Sequence, residues 1–501
     1  MIIDIHVHAL PRRGQDALAE ITRQSRVNGL SLALISIGGK ISQYPDEAEV
    51  KSCNDLARDF AGRANGTCQW LAYLNPQNAD WREELDRCLR LGAIGVKIWC
   101  SLKDANGGLD NAAEVIAEAG DRDLGVLIHT WQHSQGNMPG EITLPEFATL
   151  AEACPQTRMV GAHSGGNWRQ VLGVLRGLAP NAHVDVSGFY PERGMVEALV
   201  ADLGAERVLF GSDLAGRTQA SQLAKVVLAD ISEDQKERIL WKNAARVFSI
   251  KDVPEPMSGP LRPIEAFPDA ATEHFCFAGQ WPIFEGPWVE PAQLDDLLAE
   301  EGIEKAYTGH FSTLYRQDLE RANNAFLEST RATPRIAPLA TVNPRAHNWG
   351  SVIRHLSEGF AGVILFPYVH NWCLDDPEHR GLFEALARRK LAVWINCALG
   401  DDRTRHSGLA CRPVASAEVA SFCSSAPGEA YVFQGLSAGG IAEVLEQFKG
   451  DSRFRFDLSK LTDNGYAWDT VADAFGISQL VMGSEFPLRH LREVRWAARR
   501  I

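Results

Sequence analysis

The chain has 501 residues, too many for one compact core, and its length points to two to four domains. Hydrophobic residues at 45% and charged residues at 23% exclude disorder of the whole chain, and a formal charge of −14 argues against nucleic-acid or anionic-membrane partners. The opening MIIDIHVHALP has no basic segment before an apolar stretch, no apolar run reaches the roughly 18–20 residues of a membrane span, and the ten cysteines form no CxxC pair, so a cytoplasmic protein with reduced thiols is expected.

Eight short β-rich runs punctuate the first half: IIDIHVH, SLALISIG, CQWLAYLN, AIGVKIW, LGVLIHTW, RMVGAHS, AHVDVSG and RVLFGSD. Most are separated by stretches such as 111–120 and 144–154, where apolar residues recur at three- and four-residue spacing. This alternation predicts parallel βα units, and eight of them predict a closed (β/α)8 barrel. An open doubly wound sheet competes, but no GxGxxG turn follows the first strand. At 253–268 the sequence becomes VPEPMSGPLRPIEAFP, a linker. Beyond it the first half recurs. Asn75-Pro76 with Trp81 matches Asn343-Pro344 with Trp349, and Gly95-Val96 matches Gly362-Val363. Ser164-Gly165-Gly166 matches Ala438-Gly439-Gly440, and Gly211-Ser212-Asp213 matches Gly483-Ser484-Glu485, all in order at offsets of 267–274. The expectation is an internal duplication, an α/β chain of two tandem TIM-type barrels over residues 1–252 and 269–501.

Chemistry-bearing residues gather at the ends of the first-half runs. His6 and His8 end the first, two apart and so on one face; His129 ends the fifth, His163 the sixth and Asp213 the eighth. Those ends form the rim where a barrel builds its site. Four imidazoles and a carboxylate converging there match Zn²⁺, Mn²⁺ or another divalent transition metal. Singly, an HxH pair is a feature of a surface strand and a strand histidine a hydrogen-bonded core residue; the joint placement favours the metal. Two residues before Lys97, His163 and Asp213 stand Gly95, Gly161 and Gly211, which by strand parity would leave space beneath the ligands. Lys97 ends the fourth run, and a lysine inside a barrel is costly unless paired or neutralised. It pairs with an acidic substrate or strand-end carbonyls, forms a carbamate bridging two metal ions, or faces outward.

HxH on the first strand, histidines on the fifth and sixth and aspartate on the eighth resemble the amidohydrolase superfamily. Within it, DIHVH, MVGAHSGG, VLFGSD and Asn243-Ala244-Ala245-Arg246-Val247-Phe248 resemble the amidohydrolase-related branch, which includes aminocarboxymuconate-semialdehyde decarboxylase, resorcylate decarboxylases, hydratases and lactonases. The resemblance covers residues 1–250 well and the rest weakly. It implies His6, His8, His129 and Asp213 as metal ligands, with His163 assisting catalysis in mononuclear relatives. Lys97 matches the lysine that is carboxylated in binuclear members such as dihydroorotase and urease, so one or two ions are implied.

The expected function is metal-dependent hydrolysis of an amide, ester or lactone bond of a small molecule. Bound Zn²⁺ lowers the pKa of its water toward neutrality. Asp213 would take up the proton and pass it to the leaving group, and His163 would polarise the substrate oxygen. The alternatives are a decarboxylase or hydratase acting on a small carboxylated or aromatic substrate, and a non-catalytic metal-stabilised scaffold. Substrate contacts are expected from Arg12 and Arg13, Trp99 and Lys103, Trp131 and His133, and Arg217, a set that suits a planar or carboxylated ligand. The plain alternative is solvated rim charge and tryptophans that cover the barrel top.

By the repeat, His129 corresponds to Asn396, His163 to about Ser437, Lys97 to Ile364 and Asp213 to Glu485, while Phe275–Gly279 has no HxH. Six histidines precede the linker and eight follow it, so the loss is positional. The second barrel is expected to be catalytically silent and to act as a permanent pseudo-dimer partner, with a further homodimer open. Arg403 or Arg405 would reach the first barrel's site, or else belong to a solvated, charge-balanced loop.

Overall fold

The computed structural model describes residues 1–10, 16–39, 42–134, 136–281, 288–403, 405–406, 408–463, 465 and 467–501. Strands and helices alternate, and the chain divides into two units, Met1–Leu261 with Arg500, and Arg262–Arg499 with Ile501. Among the described residues no helix is long and apolar enough to cross a membrane, and all ten cysteines are free thiols.

In the first unit β1 (Ile3–Ala9), β2 (Leu32–Gly38) and β3 (Cys68–Trp70) form one parallel sheet. A second holds β4 (Ala72–Tyr73), β5 (Gly95–Ile98), β6 (Gly125–Ile128), β7 (Met159–Gly161), β8 (Ala182–Asp185) and β9 (Val208–Leu209). Only Leu71 separates β3 from β4, so eight strand positions follow one another in sequence order. The outer edges meet, with Ile5 N donating to Phe210 O at 3.2 Å and Asp213 N to His6 O at 2.8 Å.

A bulge lies in β1. Asp4 pairs with Ala33 and Val7 with Ile35, so Ile5 and His6 together oppose the single Leu34. Ile5 joins Ile3, Leu34, Leu71, Leu127 and Val160 in an apolar core that Ala244, Val247 and Phe248 close. Burying each large aliphatic side chain there contributes roughly 1.5–3 kcal/mol. His6, the next residue, is instead 3.0 Å from Lys97. The surrounding helices start and stop on local signals. Asp46 and Glu49 form a capping box for Glu47–Arg63, which buries Val50, Cys53, Ala57 and Phe60 at helical spacing. On its inner face Asn54 Nδ2 donates to Tyr73 O at 3.0 Å and Oδ1 accepts from Tyr73 N at 2.8 Å, fixing the helix to β4.

In the second unit eight strands form one parallel sheet in sequence order: β10 (Thr272–Ala278), β11 (Lys305–His310), β12 (Ile336–Thr341), β13 (Gly362–Leu365), β14 (Val393–Asn396), β15 (Tyr431–Gln434), β16 (Phe454–Asp457) and β17 (Leu480–Val481). Its edges also meet, with His274 N donating to Met482 O and Glu485 N to Phe275 O, each at 2.7 Å. β10 carries a bulge of its own, because Glu273 pairs with Ala306 and Cys276 with Thr308. Asn323 grips Thr341 N and O at 2.9 Å each.

Candidate metal centre

The bulge and two left-handed turns bring the rim side chains together. His6 is buried, its Nδ1 2.9 Å from Asp185 Oδ2 and its Nε2 3.9 Å from Asp213 Oδ1. His8 Nδ1 is 3.0 Å from Ser36 O, and its Nε2 is 3.5 Å from Asp213 Oδ1. His163 and Asp213 lie just beyond β7 and β9 at φ +61° and +58°. Left-handed backbone costs a non-glycine residue about 1–2 kcal/mol, which requires the surroundings to hold it. They do so through His163 N, which donates to Asp185 Oδ1 at 2.8 Å, and Asp213 N, which donates to His6 O. Ser187 Oγ donates to Asp185 Oδ1 at 2.6 Å and lies 2.9 Å from His163 Nδ1.

A divalent cation suits this donor set. One nitrogen of each imidazole is engaged by the protein: His6 Nδ1 by Asp185, His8 Nδ1 by Ser36 O, His163 Nδ1 by Ser187, and His129 Nε2 by Glu141 at 2.8 Å. Metal-binding histidines are oriented in this way, and at His6 the other nitrogen also meets Lys97 Nζ at 3.0 Å. His129 Nδ1 and His163 Nε2 are 3.2 Å apart, and with their partner nitrogens protonated they face each other as lone pairs, which a cation between them relieves. The donor atoms fall into three compact groups, each within 4.8 Å: His6, His8 and Asp213; His6, His163 and Asp185; Cys100, His129 and Glu141. His129 therefore meets the other histidines through His163 and stands outside the His6–His8–Asp213 group.

Burial pushes His6 down to about 4, with Lys97 adding to the shift and Asp185 opposing it. Burial also lowers His129 and, further, His163, so the rings are neutral, the form that binds metal. For Asp213 burial acts upward, but the hydrogen bond from His8 and the neighbouring rings outweigh it and hold the carboxyl well below its usual range. Lys97 is fully buried with Nζ 3.0 Å from His6 Nε2, which removes the outward-facing reading. Burial pushes its ammonium down to about 8 against the pull of Asp185 and Asp213.

Of the expected substrate contacts, Arg12 lies outside the described residues, as does Arg13. Trp99 packs with Leu10 against Ile37, Val50, Cys53 and Tyr73. Trp131 is buried with its ring centroid 5.3 Å from that of His163 and 6.3 Å from that of Phe189. His133 Nε2 is 3.3 Å from Glu141 Oε2, and Arg217 Nε donates to Gly188 O at 2.8 Å with its guanidinium near the Tyr190 ring. Lys103 is engaged by Glu146 at 2.7 Å. The parity argument fails at Gly161. A Cβ there would meet the Phe147 ring of helix Leu144–Ala153 at 3.2 Å, so Gly161 faces that helix, and the left-handed turn after it breaks strand alternation. Gly211 does lie under the site, where a Cβ would come 2.8 Å from His6 Cβ. Sequence reasoning passed over Asp185, Ser187 and Glu141. Asp185 was within reach, because it ends its run in AHVDVSG as the histidines end theirs.

At the corresponding places the second unit holds other side chains. Ser212 N donates to Asp4 Oδ1 at 2.9 Å, and Ser484 N to Glu273 Oε1 at 2.7 Å. Phe275 and Phe277 stand where His6 and His8 do, with ring centroids 5.3 Å apart at 70°, against 5.0 Å and 87° for the histidines. Gly435 N donates to Asp457 Oδ1 at 2.9 Å and has φ +78°, so the counterpart of His163 is Gly435. Ser437, expected there, instead caps helix Ala438–Phe448. Glu485 shares the φ of Asp213 at +58° and pairs with the buried Arg489 at 2.7 Å. Arg403 pairs with Asp401 at 2.6 Å and Arg405 with Asp402 at 2.7 Å, both within their own loop. Among the described residues of this unit no three His, Cys, Asp or Glu side chains lie close enough to hold an ion.

Residues 3–250 match the family described as Amidohydrolase. The chain matches none of the curated proteins. Among solved structures it is similar to a dihydroxybenzoic acid decarboxylase from a Polaromonas species with bound manganese, at 14% identity and TM-score 0.40, over 50% of this chain and 98% of that one. It is similar also to 5-carboxyvanillate decarboxylase from Sphingomonas paucimobilis, at 19% identity and TM-score 0.38, over 50% and 99%. A candidate 2-pyrone-4,6-dicarboxylic acid hydrolase from Pseudomonas putida is similar at 20% identity and TM-score 0.39, over 50% and 98%.

Proposed function

We propose that the first unit, whose residues 3–250 match the family described as Amidohydrolase, is a metal-dependent hydrolase acting on an amide, ester or lactone bond of a small molecule. The observation that carries this reading is the approach of His6 Nε2 and His8 Nε2 to Asp213 Oδ1, at 3.9 and 3.5 Å, with the other nitrogen of each ring engaged by the protein. His6, His8, His129 and Asp213 would hold the ion with His163 beside them, and imidazole with carboxylate suits Zn²⁺ or Mn²⁺. When bound, such an ion supplies Lewis acidity and lowers the pKa of its water toward neutrality. Asp213, held ionised, takes up a proton and returns it to the leaving group. His163, its Nδ1 engaged by Ser187, would hydrogen-bond the substrate oxygen through Nε2 once that nitrogen carries a proton. Trp131, beside His163, with Trp99, His133 and Arg217 after their strands, would favour a planar or carboxylated substrate.

Metal content per chain, measured on protein purified without chelator together with turnover on a panel of amides, esters and lactones, tests this. One equivalent supports a mononuclear site and leaves Lys97 for substrate or structure; two favour a carbamate on Lys97. Activity without metal overturns the mechanism, and release of carbon dioxide in place of hydrolysis moves the assignment to a decarboxylase.

We further infer that the chain is a tandem duplication, with a catalytic barrel over 1–252, a linker over 253–268 and a barrel over 269–501 that holds no metal and performs no catalysis. The support is the recurrence of the two β-bulges and of the hydrogen bonds at Ser212 and Ser484, His163 and Gly435, and Asn54 and Asn323.

A further inference from the structure

Glu141 is a buried carboxylate on the loop between β6 and helix Leu144–Ala153, and the mechanism above gives it no part. We infer that Glu141 is a positioning residue for the metal centre: it accepts the Nε2 proton of His129, fixes that ring in one tautomer and leaves Nδ1 as the nitrogen offered to the ion. The inference rests on the metal-dependent reading of the first unit.

Its carboxylate is oriented from three sides. Oε1 is 2.8 Å from His129 Nε2, while Oε2 is 3.3 Å from His133 Nε2 and accepts from Met138 N at 3.0 Å. The loop is braced so that these contacts persist. Trp131 N donates to Ile142 O at 2.9 Å, His133 N to Asn137 Oδ1 at 3.0 Å, and Leu102 N to Gly140 O at 3.1 Å. A carboxylate buried this deeply needs hydrogen-bond donors, and an ionised one can only accept, so the proton of the contact belongs to His129 Nε2. A neutral imidazole carries one proton, which leaves the lone pair on Nδ1, 3.2 Å from His163 Nε2. Without Glu141 the ring would divide between tautomers and between two orientations about its terminal torsion, and only part of that population would offer a lone pair to the ion.

The test uses the full chain labelled with ¹⁵N-histidine, in wild type and in the variants Glu141→Gln and Glu141→Ala. Long-range ¹H–¹⁵N correlation spectra of metal-free protein report the His129 tautomer, with the signal assigned from a His129→Asn variant. Competition with a chelator gives the zinc dissociation constant. The expected result is an Nε2–H tautomer in wild type and in Glu141→Gln, whose amide oxygen still accepts, with zinc affinities within about threefold of each other. Glu141→Ala is expected to show mixed tautomers and to bind zinc about 10–100-fold more weakly. An Nδ1–H tautomer in wild type, unchanged zinc affinity in Glu141→Ala, or a Glu141→Gln variant as weak as the alanine would overturn the inference. A wild-type chain that binds no zinc would remove the metal-dependent reading instead, while its His129 tautomer, read without metal, still decides whether Glu141 orients the ring.

Discussion

In the first unit Asp185 Oδ2 lies 2.9 Å from His6 Nδ1; in the second, Asp457 Oδ2 shares the space over Gly483 with Phe275, whose ring has no donor to offer. Both aspartates end the strand before the closing one, both are fully buried, and both accept a backbone N–H on Oδ1. Their acidities nonetheless part. For Asp185 burial acts upward, but His6 and the bonds around it hold the carboxyl far below its ordinary range. Asp457 Oδ2 has no hydrogen-bond partner, and burial pushes the group up to about 7. The bonds that recur at the two rims are made by backbone N–H groups and carboxylates. Where the first unit has the candidate donor atoms of His6 and His8 the second has apolar rings, with the backbone bonds of the rim recurring, and the electrostatic difference falls on the neighbouring aspartates.

Writing the second unit's residues into the first is the strongest way to break this comparison. His6→Phe with His8→Phe is expected to abolish stoichiometric metal and lower turnover by about 10³-fold or more, with the circular-dichroism spectrum retained. Metal still bound at one equivalent would mean that the two phenylalanines are not what separates the units. Next in size is Arg489→Ala, which strands Glu485 as a buried charge and is expected to cost about 3–5 kcal/mol in urea unfolding. Arg217→Ala, at the corresponding half-buried position, loses the bond to Gly188 O and the Tyr190 contact and should cost about 1 kcal/mol. Equal losses at the two positions would show that both arginines serve the same structural purpose.

Asp457→Asn is expected to shift the pH dependence of stability. The folded pKa stands above the unfolded value of 3.8, so the wild-type group favours folding fully below about pH 4 and loses that contribution as pH rises to about 7. The asparagine variant keeps the Oδ1 acceptor and should gain on the order of 1–4 kcal/mol over wild type at pH 8 and nothing near pH 4. Thermal melts across that range decide it, and parallel curves for the two proteins would refute a raised Asp457. What the units share is tested by Asn54→Ala and Asn323→Ala, which should each cost about 1–3 kcal/mol, because each frees one strand's N–H and C=O from its helix.

Much of this was legible in the sequence because alternation and metal chemistry leave local marks. His6, His8, His129, His163 and Asp213 all stand at run ends in the text, and the structure puts all five at one rim. What could not be read required distance in space or a change of backbone hand. Glu141 follows His129 by twelve residues through a loop whose closure no periodicity encodes. His163 was aligned with Ser437 by its glycine-rich neighbours, whereas its actual counterpart, Gly435, is identified by a hydrogen bond and a positive φ. Gly161 was assigned a direction by strand parity, which ceases to hold where β7 ends.

The bulge in β1 sets two residues, Ile5 and His6, against one on β2. The geometry of the candidate site thus depends on chain length as well as on residue identity. Deleting Ile5 would restore a regular pleat and set the first imidazole opposite Leu34, in the place Ile5 holds in the apolar core, with every candidate ligand residue still present in the gene. A search for relatives that scores only matched letters would pass such a sequence as intact, whereas one that counts the spacing between Asp4 and His8 would not.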